Sequence, residues 1–407
     1  MMGALSGLRV LDLSRILAGP WAAQILGDLG ADVVKVERPG AGDDTRHWGP
    51  PWLKDGEGRD TDTAAYFLCA NRNKRSLTID ITRPEGQALV RDLARRADVL
   101  IENYKLGGLA RYGLDYAALK GDNPRLVYCS ITGFGQDGPY AARAGYDFLI
   151  QGLGGLMSIT GQPDGVPGGG PIKAGVALTD ILTGLYAANA IQAALHHRTR
   201  SGAGQYIDMA LLDVQVACLA NQAMNYLVSG VAPARLGNAH PNIVPYQDFP
   251  TADGYMILAV GNDSQFVRLC AELGVAELAA DPRFATNRAR VANRAALIPA
   301  LNRQTVTRTT AQWIETLEAV GVPCGLINDL AGVFADPQVV ARGLQVGQMG
   351  EDGCVVPQVA SPMRLSASPV EHAVPPPALG ADNVTVLADW LGMDGETVAA
   401  LGRDGVI

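Results

Sequence analysis

The chain has 407 residues, 48% of them hydrophobic and 18% charged, which predicts more than one core; two domains are the expectation. A net charge of −8 excludes a general nucleic-acid binder, because a polyanion needs a positive field. Six scattered cysteines without C-x-x-C, and five histidines without metal-ligand spacing, argue against a disulfide framework or a metal site and suit a reducing cytoplasm.

The opening residues carry neither a basic n-region nor a long apolar run, so no signal peptide is expected. Leu8–Leu13 reads as a strand. "LAGPWAAQILGDLG" follows as a helix, with Pro20 in its first turn and Gly30 as its stop. "ADVVKVE" is a second strand, giving a βαβ unit with a right-handed crossover. The alternation continues with strand "RSLTIDI", helix "PEGQALVRDLARRA" opened by Pro84, strand "DVLIENY", short helix "GLDYAALKGDN" and strand "RLVYCSITGFG". Repeated βα alternation predicts a doubly wound, Rossmann-like α/β layer.

After about residue 200 the texture changes. "SGAGQYIDMALLD" reads as a turn, a strand and a helix start. Residues 228–254 are rich in Pro, Gly and Asn and read as a long irregular connection, a kind of segment that is usually functional or a linker. A smaller α+β segment runs from "YMILAVGN" to about residue 320, and the tail is loop with a terminal helix at "DNVTVLADWLG". No apolar stretch is long and uncharged enough to span a membrane.

The first βαβ unit ends in Glu37 and Arg38. An acid there holds a ribose in dinucleotide folds, but the turn "SRILAGPW" lacks G-x-G-x-x-G, so a nicotinamide enzyme is disfavoured and Glu37 reads as a surface or capping acid. Basic residues gather at Arg38, "NRNKR" and "IENYKLGGLARYG". Loops after successive strands converge at one sheet edge, so these groups suit a phosphorylated ligand or, equally, a solvated basic rim. Asp180 is the single charge in residues 175–195. It is readable as a helix cap, as half of a buried ion pair, or as a nucleophile; on the residues alone the cap is the plainest reading.

"VLDLSRILAGPWAAQILGDLGADVVKVERPGAGDDTR", "NRNKRSLTIDI", "ADVLIENYKLGGLARYGLD", "GYDFLIQGLGGLMSITG", "KAGVALTDILTGLYAANAI" and "SGAGQYIDMALLDV" occur in one order at sensible spacings. Together they resemble the family III CoA-transferases of CaiB/BaiF type, essentially from end to end. The resemblance implies a large CoA-binding domain over 1–222, completed by 330–407, and a small α+β domain over 223–329. It also implies an interlocked, ring-like homodimer, with linkers near 200–225 and 325–350, acting on acyl-CoA and a carboxylic acid without a metal or further cofactor. By the same resemblance Asp180 falls on the nucleophile of a D-x-x-x-G pattern. Arg38, Arg72, Lys74, Arg75, Asn103, Tyr104 and Arg111 fall on positions lining the CoA groove. Ala18 lies at the turn over the thioester, and Tyr146 and Asp147 fall near the active site.

Two departures from the family's oxalate enzymes bear on the substrate. Leu17 stands where they carry Gln, and "GNAHPNIVPYQDF" replaces a run of glycines. The latter form resembles members acting on succinyl, glutaryl or other dicarboxylic acyl groups. The related α-methylacyl-CoA racemases share the fold but use a His–Asp pair; Tyr146 occupies the His position, and a tyrosine, ordinarily titrating at ~10, is a poor base as a residue type, so a racemase is the alternative reading. Trp48 is a candidate cover for the thioester and His240 a candidate for the acceptor carboxylate. Tyr146 either shapes the acyl pocket or fills the core. Backbone N–H groups around Gly237–Asn238 are candidate oxyanion donors.

Overall fold

Side-chain alternation sets the layers of the sheet. In β1 (Arg9–Asp12) Val10 joins one apolar cluster and Leu11 the other; β2 (Asp32–Glu37) repeats this with Val33 and Val34. With β3 (Lys74–Thr78), β4 (Val99–Glu102), β5 (Val127–Thr132) and β6 (Tyr206–Ala210) they form one sheet in the order β3-β2-β1-β4-β5-β6. Every neighbouring pair is parallel. The winding reverses between β1 and β4, so the loops leaving their carboxyl ends splay apart and leave a crevice. This computed structural model describes residues 3–350, 353–370 and 373–407.

Helices α1 (Ala18–Asp28), α2 (Pro84–Arg96), α3 (Asp147–Leu153), α4 (Leu178–Ser201) and α5 (Leu211–Ala217) flank the sheet. Pro84 sits at the first position of α2, where its missing N–H costs nothing. Ala22, Ala23 and Leu26 of α1 and Ala187, Ala188 and Ile191 of α4 cover one face. Leu89, Val90 and Leu93 of α2 cover the other, with Val386, Leu387 and Trp390 of the helix Asn383–Leu391. The small residues let α1 and α4 approach closely. A Cβ on Gly184 would lie 2.8 Å from the carbonyl oxygen of Ala18, so a side chain there would force the helices apart. Gly184 is one turn after Asp180 and thereby sets Asp180 alongside the start of α1.

β3 is an edge strand, and the far end of the chain fastens to it. Ser76 N–H donates to the Asp382 carboxylate (2.8 Å), Thr78 N–H to the Asn383 amide oxygen (2.9 Å), and Asp80 N–H to the Val406 carbonyl (2.8 Å).

The chain divides into two units. One comprises the described residues of 1–156, 174–223 and 337–407; the other comprises 157–173 and 224–336. The sequence leaves 157–173 in the large domain. This insert groups instead with the small unit, where Gly237 N–H donates to the Gly161 carbonyl and Arg235 to that of Gln162. Residues near 200–225, expected as a linker, supply β6 and α5, because Ile207 and Met209 pack into the sheet's core. The small unit is an antiparallel sheet ordered Cys324–Gly325, Tyr255–Ala259, Tyr246–Pro250. Phe249, Met256, Leu258, Phe266 and Trp313 form its core. Tyr246–Pro250 lies within the stretch expected to be irregular.

Candidate active site

Asp180 is not a helix cap. α4 starts at Leu178 after Ala177, which makes no side-chain cap, so Asp180 lies inside the first turn. The exposed N–H groups of that turn are served by α3: Asp147 Oδ1 accepts from Thr179 N–H (2.8 Å) and Asp180 N–H (3.3 Å). Gln151 holds Asp147 Oδ2 at 2.7 Å, and Thr179 Oγ1 donates to Gln215 at 2.6 Å. One acid thus does the capping and leaves the other free. Among the described residues neither a cation nor a hydrogen-bond donor engages the Asp180 carboxyl. Burial, and then the charge of Asp147, push its pKa up to about 7.

Tyr66 completes this corner, and the sequence offered no signal for it beyond one phenol in an apolar run. Burial, then the charge of Asp180, with Asp147 contributing, push its pKa up to about 12. Trp48 packs edge-on against Tyr66 at 5.2 Å.

Asp180 lines a cavity of about 630 Å³ at the carboxyl ends of the strands. Leu17, Ala18, Asn103, Tyr104, Arg111 and Tyr146 share it, so the structure brings these candidates together. Arg38 lines an adjoining cavity of about 270 Å³ that also touches Tyr104 and Arg111. Two further cations line the main cavity, Arg15 and Lys105. Lys105 belongs to the basic cluster seen in the sequence; Arg15 is missed there, though a basic residue directly after β1 is the signal for it. Asn103 turns inward to the loop. Its Nδ2 donates to the Arg15 carbonyl (2.7 Å) and its Oδ1 accepts from Arg15 N–H (2.9 Å).

Three candidates for the CoA groove do not face it. Arg72 is buried against Asp28 (2.5 Å), Lys74 is wholly buried against Asp12 (3.0 Å), and Arg75 bridges Asp32 (2.7 Å) and Asp389 (2.8 Å). Each is neutralised by an acid of its own unit, which leaves no charge for a phosphate. Glu37, expected as a surface or capping acid, is buried rather than at the surface; it takes Arg46 at 2.7 Å and accepts from Asp43 N–H at 3.0 Å. His240 and Gly237 lie in the small unit. The His240 ring packs on Tyr246 and its Nδ1 accepts from Asn242 N–H (3.0 Å). The Gly237 N–H is already taken by Gly161, so it is not an oxyanion donor. Among the described residues no cluster of acids, Cys and His could hold a metal, and no helix is long and apolar enough to cross a membrane.

The chemistry open to this corner is narrow. A carboxylate that is poorly solvated, unpaired and ionised near neutrality is a nucleophile toward an activated acyl group. Cations around the same cavity suit an anionic carrier of that acyl group.

Comparison with known proteins agrees. The family model for CoA-transferase family III matches residues 5–383. A succinate–glutarate CoA-transferase of Agrobacterium fabrum is 56% identical over 95% of this chain and 95% of that protein. The succinyl-CoA:glutarate CoA-transferase of Mus musculus is 44% identical over 100% of this chain and 91% of that protein. A crystal structure of a CaiB/BaiF family protein from Brucella suis superposes with a TM-score of 0.84 at 54% identity, covering 96% of this chain and 100% of that one. A sheet wound in this order, a bare acid at its crevice and relatives matched over nearly their whole length have one explanation: this chain belongs to CoA-transferase family III.

Proposed function

We propose that the protein moves CoA from succinyl-CoA to a second dicarboxylic acid, glutarate being the first to try, through an intermediate on Asp180. The observation that carries the reading is the unpaired Asp180 carboxyl, with its pKa near 7, on a cation-lined cavity. The names of the 56% and 44% identical relatives support the two acids.

An Asp180 oxygen attacks the thioester carbonyl; the C–S bond breaks and CoA leaves as thiolate, giving a mixed anhydride. The thiolate then attacks the aspartyl carbonyl, the donor acid leaves as carboxylate, and an aspartyl-CoA thioester remains. The acceptor acid reverses both steps. Donor, enzyme and acceptor are all carboxyl groups, so the intermediates stay close in energy. Anhydride and thioester both hydrolyse when wet, which gives the poor solvation of Asp180 a chemical purpose. Lys105 and Arg111 are the cavity's cations for phosphate or for the far carboxylate of the acyl group, and Arg15, half-exposed and paired with Asp44 at 2.8 Å, would have to be shared with that acid.

The working form in this reading is a homodimer. The helix Ala220–Ser229 has no buried residue, and Leu227 and Val228 are 70% and 81% exposed, a surface that asks for cover.

The test is to incubate the enzyme with succinyl-CoA, trap with hydroxylamine or borohydride, and locate the modified peptide by mass spectrometry. A mass shift on Asp180, absent in Asp180→Asn, together with a loss of transfer of ~10³-fold or more in that variant, is expected. Exchange of the acyl α-proton with deuterated water, without an adduct and without an acceptor acid, would instead establish the racemase.

A further inference from the structure

The loop between β1 and α1 is held in an unusual way. Ile16 has φ +72°, a left-handed conformation that a β-branched residue adopts only under constraint. The constraint is visible atom by atom. Ser14 N–H donates to Asp12 (3.0 Å) and the Ser14 carbonyl accepts from Lys35 Nζ (2.9 Å). Arg15 N–H and carbonyl are both taken by the Asn103 amide. Ile16 N–H donates to both oxygens of Asp43 (3.2 Å each). Every backbone polar group from the Ser14 N–H to the Ile16 N–H is therefore held by a side chain, and all but the Ser14 N–H by one from elsewhere in the fold.

The holders are themselves fixed. Lys35 and Asp43 pair at 2.8 Å with side chains 0% exposed, and Asp43 also accepts from Thr45 N–H and Oγ1. Lys74 secures Asp12 from β3. Such a device is excessive for closing a short turn, and the loop it holds is itself part of the site, since Arg15 and Ile16 line the cavity. Leu17 and Ala18, directly after Ile16, line the cavity with Asp180.

We propose that Asp43, Lys35 and Asn103 are positioning residues, which force Ile16 into its left-handed conformation and so fix the Leu17–Ala18 wall against which the acyl-CoA carbonyl is presented to Asp180. The proposal rests on the acyl-transfer reading given above. Attack on a thioester needs the two reacting atoms aligned within a few tenths of an ångström, and a displacement of ~1 Å costs up to ~10²-fold in rate. Strain held in the ground-state loop removes the freedom to drift by that amount.

The experiment measures single-turnover formation of the Asp180 adduct from succinyl-CoA, the KM for succinyl-CoA and the thermal midpoint. The variants are Asp43→Asn, Ile16→Gly and Ile16→Ala. Asp43→Asn is expected to slow adduct formation by ~10–100-fold while KM changes by less than about threefold. Ile16→Gly relieves the left-handed strain, so its midpoint is expected to rise; its adduct formation slows more than that of Ile16→Ala, in which the Cβ keeps the strain. A merely structural loop predicts a glycine variant that is stabilised in the same way but fully active. Asp43→Asn acylating at the wild-type rate, or losing rate and affinity in step, overturns the proposal and leaves the acyl-transfer reading standing. If Asp43→Asn does not fold, the Ile16 pair decides: equal slowing by Gly and Ala overturns it. A wild-type enzyme that forms no adduct overturns both.

Discussion

The large unit buries acids in two ways. Beneath the loop after β1, Asp12, Asp43 and Glu37 each have a cation within 3.0 Å: Lys74, Lys35 and Arg46. Burial pushes the Asp43 carboxyl up, but the charge and hydrogen bond of Lys35 more than reverse this and bring its pKa down to about 2. Asp12 and Glu37 are likewise held below their ordinary values, burial being outweighed by their Lys and Arg neighbours. Asp180 has burial and a second acid, and its pKa goes the other way. Position in a protein does not make a carboxylate reactive; withholding its counter-ion does. The paired group is scaffold; the bare one is the group that the proposed acyl transfer would use as its reagent.

That contrast can be broken from either side. The largest effect is expected from the paired group. Lys74→Met strands Asp12 in the interior and should cost ~3–5 kcal/mol in urea unfolding, because removing one partner leaves a buried charge uncompensated. A loss below ~1 kcal/mol would mean that Lys35 alone suffices for Asp12, and the distinction would blur. Asp180→Asn should act in the opposite direction. With its pKa raised from about 3.8 to about 7, the folded wild type binds a proton more tightly than the unfolded chain, so its stability falls as pH rises from 4 to 7. The variant lacks this loss. Its advantage should vanish below about pH 3 and level off above pH 7 at on the order of 4 kcal/mol, measured as thermal or urea midpoints across pH. The smallest effect is expected from Asp147→Asn. The amide oxygen can still accept from Thr179 N–H, but the negative charge is gone. The pH at which adduct formation reaches half its plateau should therefore fall, by ~1 unit or less, since burial is the larger cause of the shift. A rise would mean that the two acids do not interact as like charges.

Much of this architecture is legible in the residues alone. The valine-rich run of "ADVVKVE" and the amphipathic run opened by Pro84 give β2 and α2 within a residue or two, because local residue pattern suffices for them. Asp180 stands out because an acid is expensive in apolar surroundings. The errors share one cause. Lys74 and Arg75 are neighbours in a basic run, yet alternation along β3 sends Lys74 into the interior to Asp12 and Arg75 outward to Asp32 and Asp389. A charge cluster in sequence says nothing of which acids lie across the sheet; Asp389 is more than three hundred residues away in the chain. Tyr66 is invisible for the same reason, as only tertiary packing brings it to the acids.

The fastening of β3 bears on how the molecule is made. The outer N–H groups of β3 and of Asp80 just beyond it wait for Asp382, Asn383 and Val406, which a ribosome delivers some three hundred residues later. Until then the nascent sheet carries an open margin able to recruit any passing extended peptide. A message truncated before codon 380 should consequently yield not a slightly shortened enzyme but a sticky, aggregation-prone one, however complete its catalytic half.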